Sequence, residues 1–420
     1  MLRAGALFVA VAISFVIALL ISSLIILSFH YKIQNLENLL QKKLERNLQS
    51  AMVLLMESSL MTEDQTILDL YGEESDSVKI KKSSWGVFEV ANVKSFSGRY
   101  SLTRTVFYGY RPNDTLSPAL YLADLSRPLT LCGNTRIKGT CYLPKAGVKR
   151  GYIEGRGFEG TTLIDGQTKV SKNTLPALDD KIIKKVDLIK KADSLHISVS
   201  TTGYKIGNIS ADSLIHSFED TTMMVILSSG TISDKYLSGN IILFFSGALV
   251  VQPDAQLDNV ILLANSIRFK SGFSGNLQAF ALDSIVVEEN CKLNFPSALG
   301  LFKKSYKTQQ PYIKFKQGSY LKGVVFTYQP SLITDLQQTL ISIESGATVV
   351  GQVYADGFAD IKGIVKGSVW CNKMLLKTKA SVYENHVMNG VIDKTQLSPY
   401  YVGTGLIAAG NKKKVIKWID

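Results

Sequence analysis

Carboxylates are the residues of this chain best suited by type to do chemistry. Asp254, Asp258, Asp283, Glu288, Glu289, Asp356 and Asp360 fall within a β-rich stretch, and glycan-cutting sites need two carboxyl groups held a fixed short distance apart. Asp356 and Asp360 flank Gly357, a grouping that also makes an ordinary turn corner. His30, His196, His216 and His386 are dispersed, with no HExxH-type spacing. Cys132, Cys141, Cys291 and Cys371 are too few for a disulfide framework and lack zinc-ligand spacing, so they read as buried thiols, with a Cys132–Cys141 bridge as the alternative if neighbouring turns bring those two together. No Walker-type or GxGxxG loop leads into a helix. The side chains therefore specify no catalytic constellation, cofactor or metal, and the sequence predicts a protein that is not an enzyme.

The elements behind these residues are more informative. Gly351-Gln352-Val353-Tyr354 is followed sixteen positions on by Gly367-Ser368-Val369-Trp370, and the same unit occurs at Gly323-Val324-Val325-Phe326 and Gly139-Thr140-Cys141-Tyr142. Each glycine follows an apolar residue by two places: Val349, Val365, Leu321 and Ile137. Short β units repeated in this way must stack, because one turn cannot bury its apolar face alone. The fold class expected is mainly β, a parallel β-helix or solenoid carried by a long N-terminal helix, with a small β-rich region between them. Ser246–Val250, Asn265–Phe269 and Asp283–Val287 read as equivalent strands spaced 19 and then 18 residues. Strand alternation then points Ala248, Val250, Ile267, Phe269, Ile285 and Val287 inward.

Ala4–Phe29 is 26 residues without a charge, roughly 39 Å of helix, enough to cross a ~30 Å hydrocarbon core. Apolar residues recur at helical spacing from Tyr31 to Met56, so the helix is expected to continue past the membrane with Leu36, Leu40, Leu44 and Leu48 as a contact stripe. Seven segments follow: anchor 1–29, amphipathic helix 30–60, β-rich region 61–125, first solenoid turns 126–166, insertion 167–221, main solenoid 222–390, and cap with basic tail 391–420. Within them Trp85–Val93 and Ser101–Tyr110 read as strands, Asp179–Ala192 as an amphipathic helix, and Ser297–Gln310 and Pro330–Gln338 as excursions.

The short leader Met1-Leu2-Arg3-Ala4-Gly5-Ala6-Leu7, running straight into a spanning and then amphipathic helix, resembles the N-terminus of the pilin and pseudopilin class, minor pilins especially. That resemblance implies an envelope protein anchored in the cytoplasmic membrane by one pass, with its soluble part on the extracytoplasmic side. The glycine-and-valine unit Ser345–Val353 resembles bactofilins, polymer-forming β-helix scaffolds.

Phe326, Tyr354 and Trp370 each follow an inward valine by one place, which turns them outward as an aromatic ladder and a possible interaction surface. A formal charge of +12 is scattered except at the chain ends, so nucleic acid is not an expected partner. The expected partners are membrane lipid and other envelope or pilus-like proteins, or further copies of the chain. The function expected is a structural, assembly or adhesion role in the envelope. The alternatives are a β-helix that binds or degrades polysaccharide, and a cytoplasmic membrane-tethered scaffold.

Overall fold

The computed structural model describes every residue except 1–2, 58–64, 73–75, 112–116, 181, 184–204, 208, 210, 304–308, 330–337, 408–411 and 420. The chain begins as one uninterrupted helix, α1 (Arg3–Glu57). Its span holds no proline and a single glycine, Gly5, near its start, so nothing interrupts the backbone hydrogen-bond ladder. The rest is mainly β. Strands β1 (Gln65–Leu68), β2 (Ser77–Trp85), β3 (Phe88–Ser97) and β4 (Tyr100–Tyr110) lie in that order in a five-stranded sheet, with Lys413–Ile419 as the fifth strand beside β4.

The chain divides into two compact units. The first comprises Met1–Lys82 and Ala91–Arg104 with Asp420. In it β1 pairs antiparallel with β2, Gln65 opposite Lys81 and Leu68 opposite Val78. Leu44, Leu48, Ala51, Met52 and Leu55 of α1 are buried, as are Val78, Ile80, Ala91 and Val93 of the strands. Asp76 fixes the helix by charge: its buried carboxylate takes the Lys43 ammonium at 2.9 Å and the Asn47 amide. Ser50 meets the Tyr71 hydroxyl at 2.7 Å, and the Arg46 guanidinium lies 4.5 Å from the Tyr71 ring centre.

The second unit, Ser83–Val90 with Thr105–Ile419, is built on parallel pairing that forms a large barrel-like sheet. Three apolar ladders run through it. Leu249, Ile267, Ile285, Ile313, Ile341 and Ala359 are successive partners in one. Leu321, Val349, Val365, Ile392 and Ile137 form the second, which contains every apolar leader of the glycine units. Leu243, Leu262, Ala279, Leu299, Val325, Val353, Val369, Leu120 and Cys141 form the third. All three are buried in a common core.

The glycines of the repeat have a steric reason. Gly323, Gly351 and Gly367 are direct partners with φ of 144°, 136° and 153°, and a Cβ on each would collide with the carbonyl of the rung before it. Only glycine both adopts that backbone and permits that approach.

The pairing order is not the chain order. Val369, Trp370 and Cys371 pair with Leu120, Tyr121 and Leu122, and Leu120 and Tyr121 pair in turn with Cys141 and Tyr142. The rungs built by residues 120–170 thus follow the rung at 364–377. Four readings of the sequence need correction. Leu249 and Val251, not Ala248 and Val250, point inward, because Ala248 pairs with Ser266 and the spacing is 18 and 18; Ser246 and Gly247 belong to the preceding corner. Trp85–Val93 is not one strand but a hairpin turning at Gly86, φ 58°. Ser297–Phe302 is strand, paired with Gly323–Tyr328. The basic tail is the edge partner of β4 rather than a cap on an open ladder. Of the helix read over Asp179–Ala192, only Asp180, Ile182 and Ile183 are described as helical, and Pro330–Gln338 lies almost wholly outside the described residues.

Ile267→Asp or Ile285→Asp places a charge in a dry ladder at a cost of several kcal/mol, so each is expected to lower the thermal midpoint by many degrees. Gly351→Ala is expected to cost more than about 1 kcal/mol because φ is positive there, whereas Gly157→Ala, whose added Cβ meets only Tyr152 Cδ2 at 3.6 Å, is expected to melt with the parent. Calorimetry of the four variants checks both; parental midpoints for the two aspartates would place the ladder in solvent.

Candidate functional site

The carboxylates singled out by type are drawn into separate polar contacts. Asp258 accepts from Asn259 at 3.0 Å, from the Asn276 amide, and from Lys417 at 3.5 Å. Glu288 pairs with Arg268 at 3.1 Å and Lys270 at 3.7 Å, and Glu289 with Lys316 at 3.1 Å. Asp356 accepts the Gln329 backbone N–H and the Asn372 amide, both at 3.1 Å; burial raises its carboxyl above the ordinary value. Asp360 is pushed up to about 6 by burial, against the lowering effect of Lys362 at 3.2 Å. Asp254 is exposed beside a turn, and Asp283 is half-buried. All four cysteines are free and buried, and burial pushes the Cys141 thiol up to about 12. Among the described residues no group of three or more His, Cys, Asp or Glu could hold a metal ion.

The aromatic ladder exists, but it is covered. Phe326, Tyr354, Trp370, Tyr121 and Tyr142 are successive partners on the outward side of the third apolar ladder. Phe280 lies on the same row, and Gly300 stands between it and Phe326, leaving room for both rings. Phe326, Tyr354 and Trp370 are nonetheless 0%, 4% and 1% exposed, in a second core that includes Trp85, Phe88, Phe107, Phe218 and Leu406. Tyr354 Oη donates to the Pro176 carbonyl at 2.9 Å, and Tyr121 Oη to that of Thr174 at 3.2 Å. An aromatic row of that size cannot stay wet cheaply, and distant segments roof it. The row is therefore a packing surface, not an exposed interaction surface.

One side chain holds part of that roof. Gln278 donates from Nε2 to the Trp85 carbonyl and accepts at Oε1 from the Val87 N–H, both at 2.8 Å, standing in for a strand against the hairpin tip. Trp85 Nε1 adds a bond to the Asn259 carbonyl at 2.9 Å, and Trp85 and Phe107 each meet Phe218 edge-on at 5.1 Å.

The helix stripe is split. Leu44 and Leu48 are buried, Leu40 is half-buried, and Leu36 is 58% exposed. Leu39 and, further along, Val53 and Leu54 are also exposed. The helix thus retains open apolar surface on both sides of its buried part.

A polar groove of about 750 Å³ went unread in the sequence. Asn134, Arg136, Lys138, Glu159, Asp165, Lys366 and Asp393 line it. They come from three distant segments that parallel pairing sets side by side. The available signal was a charge directly after three apolar residues of the second ladder: Ile137-Lys138, Val365-Lys366 and Ile392-Asp393.

No family model matches the chain, and no curated protein matches it. Among solved structures, the competence-associated pilin ComZ from Thermus thermophilus is similar over 90% of this chain and 96% of that chain, at TM-score 0.26 and 11% identity.

Gln278→Ala leaves the buried Trp85 carbonyl and Val87 N–H without their partner, a cost of about 1–3 kcal/mol. The expected outcome is faster hydrogen exchange at the Val87 amide together with a lower melting midpoint. For Asp360, the folded state holds a proton between the ordinary value of 3.8 and about 6 that the unfolded chain has released, so its contribution to stability falls as pH rises through that window. Asp360→Asn removes this dependence. The variant is expected to gain on the parent by up to about 3 kcal/mol on going from below pH 4 to above pH 6, measured by denaturant titration at each pH; an unchanging difference would count against the buried charge.

Proposed function

We propose that this chain is a membrane-anchored, non-enzymatic structural protein of the bacterial envelope, working as a component of a pilus-like or secretion assembly. In this reading the parallel ladders are turns of a β-helix, presented on the extracytoplasmic side. The observation that carries the proposal is the course of α1. The helix is continuous from Arg3 to Glu57, exposed from Gly5 through Leu39, and buried only from Leu44 on. Its first half is long and apolar enough to cross a membrane. A chain built in this way is held at the bilayer by the first half of its helix.

The open apolar surface of Leu36, Leu39, Val53 and Leu54 supports contact with other envelope proteins or with further copies of the chain, since such a surface is a liability in water. The dispersal of the carboxylates into separate contacts supports a role without catalysis.

Two measurements test the proposal. A C-terminal reporter fusion active only outside the cytoplasm is expected to report activity, and external protease is expected to reach the folded part in spheroplasts. Photocrosslinkers at Leu36 and Leu39 are expected to capture a protein adduct in cells, and charged substitutions there to abolish it while leaving the melting midpoint of the purified protein unchanged. A folded part shielded from protease in spheroplasts and exposed only after lysis would overturn the placement; the absence of any adduct would overturn the assembly role.

A further inference from the structure

The groove takes no part in the reading above. Its floor is laid by successive parallel rungs, with Ile364, Val391 and Arg136 in register. Two positions along, the three strands carry Lys366, Asp393 and Lys138, and Asp393 pairs with Lys138 and Lys138 with Asp165. Charge alternates down this row. Glu159, Thr161, Thr162 and Gln396 also line it.

The lining dictates what can fit. Pockets for drug-like or cofactor molecules are mostly apolar with a few polar groups, and this one is the reverse. Arg136, Lys138 and Lys366 stand against Glu159, Asp165 and Asp393, so the charges balance. A nucleic acid draws its affinity from a net positive lining and gains none here; a polycation gains none for the same reason. Donors and acceptors placed side by side instead match hydroxyls, each of which donates and accepts. Successive rungs are ~4.8 Å apart, close to the length that one pyranose unit adds to a glycan, so consecutive sugars meet a lysine and an aspartate in alternation.

Much of the row is already set. Lys138 Nζ is 3.3 Å from the Asp165 carboxylate. Asp393 is held by the Thr395 N–H at 2.9 Å, the Thr395 hydroxyl at 2.7 Å and the Gln396 amide at 2.8 Å. Arg136 Nε donates to Asn134 at 3.3 Å. The side chains of Lys366 and Glu159 have no hydrogen-bond or ion-pair partner among the described residues. Little side-chain entropy remains to be lost on binding by the groups already fixed.

We propose that this groove binds an electrically neutral polysaccharide, laid along the stack of rungs across Lys366, Asp393, Lys138 and Asp165. The site holds the glycan by hydrogen bonds without cleaving it. The proposal stands whether or not the chain enters a larger assembly.

The full chain, purified in lauryldimethylamine oxide so that no sugar detergent competes, is titrated calorimetrically with cellohexaose, maltohexaose, chitohexaose, hexagalacturonate and a short DNA duplex. At least one neutral hexamer is expected to bind, more tightly than hexagalacturonate or DNA. The double variant Lys366→Ala/Glu159→Ala, with both changes at solvent-facing positions, is expected to weaken that binding by about tenfold or more with an unchanged melting midpoint, while Lys205→Ala, outside the groove, leaves it intact. Failure of all three neutral hexamers to bind at millimolar concentration, binding indifferent to the double variant, or a preference for hexagalacturonate or DNA would each overturn it.

Discussion

The close approach of one rung to the next at the glycine corners is the constraint on which the second unit depends. At Gly323, Gly351 and Gly367 the space a Cβ would fill is taken by the carbonyl of the preceding rung. That contact fixes the spacing and the register of each rung together. With the register fixed, like stacks on like: Leu321 on Val349 on Val365 inside, and Phe326 on Tyr354 on Trp370 outside. A slip by one residue would exchange the two faces. It would turn the aromatic row into the interior and the small aliphatic row out beneath its roof.

Register also governs the charges. Backbone bonds from Glu288 to Phe269, from Lys316 to Val287 and from Glu344 to Phe315 put Lys270, Glu288, Lys316, Glu344 and Lys362 on successive rungs of one face, alternating in sign. Pairs at and beside this row, Lys270 with Glu288 within it and Lys314 with Glu344 from the position two before Lys316, are at the partly exposed surface and are individually weak. Their alternation opposes any stacking that would bring like charges together, so it contributes to uniqueness more than to total stability.

What could be read in advance was whatever a local rule enforces. The glycine units were legible because steric necessity repeats them, and the length of α1 because nothing in its span breaks a helix. Ala248–Val251 was read one place off because an unbroken apolar run carries no alternation. Trp85–Val93 looked like a single strand because its alternation counts straight through the turn at Gly86. The cover of the aromatic row was not legible at all: Trp85, Phe107, Leu178, Phe218 and Leu406 are brought together only by the tertiary fold. The groove was hidden for the same reason, since its charges belong to strands remote in sequence, and the sequence offered the composition of each rung but not its neighbour.

The order of the rungs has a bearing on how the chain comes to be folded. Ser117 meets Ser368 at 2.9 Å although the two are 251 residues apart in the chain. Segment 120–170 is synthesised before the rung on which it rests, and it must wait until residues 364–393 have emerged. Contacts of such long separation close late and slowly. The interval leaves unpaired strand edges open to other chains. A protein ordered in this way joins these two segments only after residues 364–393 have been made, so a chain cut short before residue 364 would leave its first rungs with nothing to rest on.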